Sequence, residues 1–286
     1  MNQSLYNSAE YNSSYAWANA ATGATPDTLN KIGLKAHNFD NVVIPMNPEW
    51  TKVGINLSGG ADSAIMAFLM ATTIKDNNYN CKIEIITFVR NWFTRPWQST
   101  VSTNVYKWLK NRFPDIITHQ VVTYLPPELE HGAIGNIHNG RSMDQIMVGS
   151  FNKYLAVTHQ YNACYNATTK NPTVGYEIFD RMMNRDNIEQ SLNSLAYIAD
   201  DTTSWSLTPL RLTEKDWVIR QYVNHDILEL LYITRSCEGD SNTYLSSGMN
   251  FTWYTQNPDA HIPECGKCFW CVERNWAIEK VGLHDR

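Results

Sequence analysis

Between residues 52 and 158, short apolar runs alternate with longer stretches whose apolar positions recur every three or four residues, the pattern of strands followed by amphipathic helices. The run 52–57 reads as a strand and meets Ser58-Gly59-Gly60, after which 63–73 carries Ile65, Met66, Leu69 and Met70 at helical spacing. The pattern repeats: 82–89 predicts a strand, 101–112 an amphipathic helix, 118–124 a strand and 143–158 a helix. Such alternation implies an α/β fold, a Rossmann-like parallel sheet covered by helices. Crossovers in such a sheet are right-handed and ligands bind beyond the carboxyl ends of its strands, which is where the Ser58 loop falls.

Outside this stretch the pattern changes. Residues 1–48 are rich in Asn, Ser, Ala and Tyr without sustained periodicity, although Pro26-Asp27-Thr28-Leu29 reads as the start of a short helix. Beyond Asn162 the candidates are helical, over 188–197, 214–224 and 269–280, with Thr213 the expected N-cap of the second and Glu214 and Asp216 its acidic first turn. The expected organisation is therefore an N-terminal extension (1–48), a nucleotide-binding α/β domain (49–170) and a helical C-terminal region (171–286) that binds zinc.

Composition narrows the class. With 286 residues, 43% hydrophobic and 12% aromatic, the chain is long enough and apolar enough to bury its own core. No apolar run approaches the ~18 residues a membrane span needs, and the polar start lacks the pattern of a signal peptide, so a cytoplasmic protein that binds no membrane is expected. The net charge of -5 argues against broad adhesion to nucleic acid, which normally needs a basic face.

The chemistry begins at Ser58-Gly59-Gly60-Ala61-Asp62-Ser63. A strand feeding a glycine turn into a helix exposes backbone N–H groups at the positive helix end, a ready site for phosphate. Gly59 and Gly60 allow close approach, Ser58 and Ser63 offer hydroxyls, and Asp62 is suited to the magnesium that accompanies ATP. No Walker lysine follows, so the loop is not a P-loop of the GKS type. The bland alternative is a glycine turn with a simple helix cap.

A second cluster lies near the C-terminus. Cys265, Cys268 and Cys271 repeat every three residues and Cys237 stands upstream, four thiols that suit a closed tetrahedral zinc site serving structure rather than catalysis. An iron-sulfur cluster also accepts four cysteines, and buried unligated thiols are the remaining alternative. Cys81 and Cys164 read as ordinary core residues.

Ser-Gly-Gly-x-Asp-Ser after a strand resembles the signature of the N-type ATP pyrophosphatases, the adenine nucleotide alpha hydrolase-like group. The series Pro209-Leu210, Lys215, Thr234-x-Ser236-Cys237 and Cys265-Gly266-Lys267-Cys268-x-x-Cys271-x-x-Arg274 resembles the C-terminal half of the 7-cyano-7-deazaguanine synthases of the queuosine pathway. The resemblance implies a carbon-nitrogen ligase that cleaves ATP between its α and β phosphates, with Asp62 and Ser63 at the reaction centre, magnesium on the nucleotide and zinc on the four cysteines. Its substrate would be 7-carboxy-7-deazaguanine, converted to the nitrile with ammonia as nitrogen donor; homodimers are common in that family.

The middle of the chain departs from that family. Arg90-Asn91-Trp92-Phe93-Thr94-Arg95-Pro96-Trp97-Gln98 stands where the family has Tyr-Gly-Gln-Arg, Gly140-Arg141-Ser142 keeps only the arginine of an Arg-Asn pair, and Tyr165-Asn166-Ala167-Thr168 lacks a glycine. Arg90, Arg95 and Arg141 are suited to binding a carboxylate or phosphate, against the alternative of solvated loop arginines. Trp92, Trp97 and Tyr165 are suited either to stacking a base or to packing, and His131 and His138 have no ligand partner at recognisable spacing. The competing functions are an amidating ligase with another acceptor, a transfer-RNA thiolase or related modifier, and a nucleotide-binding module without turnover.

Overall fold

The structure is a computed structural model that describes residues 29–30, 33–90, 95–125, 137–138, 141–170, 172, 196–198, 204–237, 249–262 and 264–283. Its centre is a sheet in which β3 (Lys52–Asn56), β4 (Lys82–Val89) and β5 (Ile117–Tyr124) lie side by side and parallel, with β8 (Ala163–Tyr165) and β10 (Trp205–Leu207) continuing the parallel run on the far side of β3. An antiparallel edge strand, β9 (Ala196–Ile198), closes the order β5-β4-β3-β8-β10-β9. The α/β parallel-sheet class expected from the alternating pattern is the fold observed.

Right-handed crossovers then dictate where the helices go. Helices α1 (Ala61–Asp76) and α2 (Gln98–Arg112) connect strands that step in one direction across the sheet, and both feed the larger core with Ile65, Leu69, Val101, Val105 and Leu109. Helix α3 (Met143–Thr158) carries the chain back past β3 to β8 and therefore covers the opposite face, where Leu155 and Ala156 meet Ile86, Phe88, Tyr161 and Cys164. Strand β4, covered on both faces, is buried along seven of its eight residues, which explains its nearly unbroken apolar run.

The larger core reaches well beyond the sheet. Helices α4 (Lys215–Asn224), α5 (Leu228–Ile233) and α7 (Phe269–Val281) add Val218, Tyr222, Leu230, Leu231 and Ala277 to the cluster that contains Ile55 and Ile65. A short helix, α6 (Phe251–Gln256), adds Tyr254, which stands edge-on to Trp97. A two-residue pair, β6 (Ile137–His138) and β7 (Arg141–Ser142), precedes α3. Among the described residues no helix is long and apolar enough to cross a membrane.

Three local expectations are corrected. The stretch without periodicity contains a hairpin, β1 (Lys35–Phe39) with β2 (Val42–Met46), whose Ile44 and Met46 are fully buried and whose Pro45 carbonyl accepts the Tyr165 hydroxyl at 2.5 Å. Five-residue strands with the proline on the buried side show too little alternation to stand out. The N-cap of α4 is Glu214 rather than Thr213; the Glu214 side chain makes no capping bond and pairs instead with Lys170 and Lys280, each at 3.3 Å. The expected helix over 188–197 lies outside the described residues except at its end, where Ala196 and Tyr197 form part of β9 because the sheet edge offers them backbone partners. The expected helix start at Pro26-Asp27-Thr28 is likewise outside the described residues.

Gly54 sits where β3 is flanked on both sides, opposite Glu84 and Cys164. A Cβ there would lie 2.8 Å from the Ile86 side chain and 2.9 Å from the Tyr161 ring. We expect Gly54→Ala to lower the unfolding free energy by about 1–3 kcal/mol through overpacking, seen in urea titration as a lower midpoint with unchanged slope. Wild-type stability in the variant would contradict this packing.

Candidate phosphate-binding site and thiol cluster

The chain leaves the carboxyl end of β3 at Asn56 and turns through Ser58, Gly59 and Gly60 into α1. This is the place where successive connections diverge to opposite sides of β3, the point in an open α/β sheet at which a crevice forms. Asn56 and Asn166, at the ends of β3 and β8, face one another there with Asn56 Nδ2 donating to Asn166 Oδ1 at 2.6 Å. Asn56 Oδ1 is buried and has no hydrogen-bond partner among the described residues.

The loop is held open by its own short side chains. Ser63 Oγ accepts from the Ser58 backbone N–H at 3.1 Å and donates to the Gly60 carbonyl at 3.1 Å, while the Gly60 N–H donates to Ser58 Oγ at 3.3 Å. Ser63 is thus buried and committed to loop shape. Gly59 adopts φ +84°, and a Cβ on it would stand 3.0 Å from Val101 Cγ1 and 3.2 Å from the Ser102 nitrogen, so both conformation and the approach of α2 require glycine. Gly60 is the N-cap of α1 and has no side chain to occupy the first-turn N–H groups, which leaves the helix end suited to an anion.

Asp62, in that first turn, meets a cation delivered from far along the chain. Lys215 opens α4, is 1% exposed, and places Nζ 2.6 Å from Asp62 Oδ2 and 3.7 Å from Glu273 Oε2 on α7. Asp62 Oδ1 is buried and has no hydrogen-bond partner among the described residues. One oxygen of the residue expected to serve magnesium is therefore engaged by lysine, and the other is free to accept. Tyr222, also on α4, donates its hydroxyl to the Ala61 carbonyl at 2.7 Å, and burial holds that phenol well above its ordinary range.

The segment before Cys237 braces the same loop. The Arg235 N–H donates to the Gly59 carbonyl at 2.9 Å, and Ser236 Oγ, buried and without a hydrogen-bond partner among the described residues, lies 3.6 Å from where a Gly60 Cβ would be. Lys215, Glu273, Arg235 and Ser236 have no role in the sequence reading. Lys215 and Ser236 do fall in the quoted motif series, which was their one visible signal.

Cys237, Cys265, Cys268 and Cys271 converge as expected, with all four sulfurs within 4.8 Å of one another. The Cys265–Cys271 and Cys268–Cys237 separations are 3.9 and 4.0 Å. Tetrahedral zinc with bonds of about 2.3 Å requires sulfurs about 3.8 Å apart, so the set fits one shared ion. A four-iron cluster would place each thiolate on a separate iron and spread them farther. Backbone N–H groups of Cys265 and Cys268 point to Cys237 and Cys265 sulfurs at 3.4 and 3.3 Å. Crowding raises the thiols: Cys237 is pushed up to about 12, first by its hydrogen bond with Cys268, and Cys271 is raised by its bonds with Cys237 and Cys268. A shared cation removes that cost of ionising neighbouring thiols.

The cysteine helix is also tied down without metal. Arg274, 5% exposed, donates to Thr234 Oγ1 at 2.9 Å and to the Leu231 carbonyl at 3.1 Å, closing the C-terminal end of α5.

The remaining candidates separate. Arg90 follows the carboxyl end of β4, where its backbone N–H donates to Gln98 Oε1 at 2.8 Å. The Arg95 guanidinium lies over the Trp270 ring at 5.9 Å, next to the cysteine cluster. Arg141 is placed by its backbone in β7, opposite His138, and its side chain lies outside the described residues. Trp97 and Tyr165 are core residues, 1% and 0% exposed, so packing and not stacking on a ligand is their role. Cys81 and Cys164 are buried, each pushed up to about 12 by burial. Trp92 and His131 lie outside the described residues.

No known family profile matches the sequence, and no curated protein does. Among solved structures, the U34-tRNA thiolase NcsA from Methanococcus maripaludis with its 4Fe-4S cluster is similar at a TM-score of 0.43 and 14% identity, with 82% of each chain covered.

Replacing Lys215 with methionine leaves the Asp62 and Glu273 carboxylates facing one another across a buried gap. We expect Lys215→Met to cost about 3–5 kcal/mol of unfolding free energy, measured by urea denaturation. A loss no larger than that of an ordinary surface substitution, about 0.5 kcal/mol, would show that this lysine is not the tie between the helices.

Proposed function

We propose that this chain is an ATP-dependent ligase of the ATP pyrophosphatase kind, which adenylylates a carboxylate and replaces an oxygen with ammonia-derived nitrogen. The observation that carries the reading is the loop from Ser58 to Ser63: it opens a helix at the switch point of a parallel sheet, with its first-turn Asp62 held by buried Lys215. In this reading the backbone N–H groups of Gly59 and Ala61 and the Ser58 hydroxyl hold the departing pyrophosphate, while the Ser58 and Gly60 N–H groups keep the turn in shape. Ser63 keeps the loop in shape. Asp62 Oδ1 is the acceptor offered to magnesium, which supplies charge neutralisation on the phosphates when bound, and Lys215 fixes the carboxylate that offers it.

The acceptor we propose is 7-carboxy-7-deazaguanine. Its carboxylate oxygen attacks the α phosphate and pyrophosphate leaves; ammonia displaces AMP to give the amide. The amide oxygen is adenylylated by a second ATP, and loss of AMP yields the nitrile. Each step turns a poor leaving group into a good one, so the chain needs to provide oxyanion binding and no side-chain nucleophile. Arg90, which follows the carboxyl end of β4, is the proposed partner of the acceptor carboxylate. Zinc on the four cysteines is structural in this reading, because four thiolates leave no coordination place for water.

Mass spectrometry of the protein with ATP, magnesium, ammonium and 7-carboxy-7-deazaguanine should show AMP, pyrophosphate and nitrile. AMP and amide with another carboxylate would keep the ligase and change its acceptor, thiolated transfer RNA with a sulfur donor would assign a thiolase instead, and no ATP consumption would leave a binding module. Asp62→Asn should reduce turnover by about a hundredfold or more, and an unchanged rate would remove Asp62 from the centre. Cys268→Ser should lose its zinc equivalent and melt roughly 5 °C lower or more; full metal content with unchanged melting would contradict a structural zinc site.

A further inference from the structure

A second set of ligating side chains lies at the other end of the sheet. Glu84 is the third residue of β4, His119 the third of β5, and His159 stands in the turn between α3 and β8, so all three gather at the amino ends of the strands, opposite the phosphate loop. Their ligand atoms all lie within 4.8 Å of one another. We propose that Glu84, His119 and His159 form a site for a divalent transition-metal ion of the zinc class, separate from the cysteine cluster.

Burial makes the first argument. Glu84 is 0% exposed, on a strand otherwise buried in apolar surroundings with Ile86 and Phe88 on the same face. A carboxylate in such a place is paired or coordinates a metal. Its Oε1 accepts from the Tyr161 hydroxyl and meets His159 Nδ1. Its Oε2 lies 2.9 Å from His119 Nε2, and among the described residues no hydrogen bond reaches that buried oxygen. A separation of 2.9 Å suits an ion pair when His119 is protonated, and it equally lets both atoms reach a common third atom.

The donor set makes the second argument. Two imidazoles and one carboxylate suit zinc and its first-row neighbours, and at bonds of about 2.0–2.1 Å a tetrahedral ion needs its ligands about 3.3 Å apart. The present spacing is within a small side-chain adjustment of that. His119 and His159 are 60% and 31% exposed, so an ion has a way in and a water can complete the coordination.

The scaffold is fixed in advance of any ion. Tyr161 is held against Gly54 at a distance that excludes a Cβ, and its hydroxyl donates to the carboxylate and positions it. Lys52 Nζ donates to the His159 carbonyl at 3.0 Å, which fixes the backbone of that ligand. An ion here would join β4, β5 and the entry to β8.

The test first fills the cysteine cluster of the purified full chain with one equivalent of zinc, then adds cobalt(II), removes excess by gel filtration and measures bound metal together with the visible spectrum. We expect one cobalt per chain with weak d–d bands and no thiolate-to-metal charge transfer. His119→Ala should abolish that equivalent while cysteine-bound metal stays as in the wild type and circular dichroism shows the variant folded; His159→Gln should do the same. Equal cobalt in the wild type and both variants, or cobalt bands of thiolate type alone, would overturn the proposal.

Discussion

A lysine that is almost completely buried needs compensating charge, and in this protein that need joins regions more than 150 residues apart. Lys215 lies between Asp62 at the start of α1 and Glu273 on α7, at 2.6 and 3.7 Å. The two carboxylates come from the first turn after Gly60 and from the helix that carries Cys271. Desolvating these charges is costly, and only their mutual attraction in place offsets it, so the three must be arranged together or not at all. The position of α4 and α7 against the loop follows from that constraint.

The cysteine cluster extends the same linkage. Cys237 lies two residues after Arg235, whose N–H holds the Gly59 carbonyl, and Arg274 binds the residues just before that segment. Any ion on the four sulfurs therefore fixes the segment that braces the glycine turn. An ion on these sulfurs and the glycine turn would thus be mechanically one assembly.

The parts legible in the sequence were those encoded locally. The strand over 82–89 and the helix over 143–158 have the bounds that apolar periodicity indicates, because each depends on which face of a short segment is covered. The thiol cluster was visible because ligand spacing is set by one turn of chain. What was hidden depends on distant partners. The hairpin at Lys35–Met46 is stabilised by burial of Ile44 and Met46 against the rest of the core, not by its own pattern. Lys215 looks like any lysine at a helix start until α1 and α7 close over it, and Trp97 looks like a loop aromatic until Tyr254 packs against its ring. Glu84 and His119 are 35 residues apart, and pairing of β4 with β5 is what brings them together.

The central claim is that the Ser58–Ser63 turn is a pyrophosphate cradle, and calorimetric titration of magnesium pyrophosphate into the purified protein tests it most directly. The account predicts one binding site, competitive with ATP and strongly weakened by Gly59→Ala, since that position has φ +84° and a Cβ there would crowd Val101 and the Ser102 nitrogen. Binding of pyrophosphate and ATP at the same time, or binding unaffected by that substitution, would place the phosphates elsewhere and contradict the account.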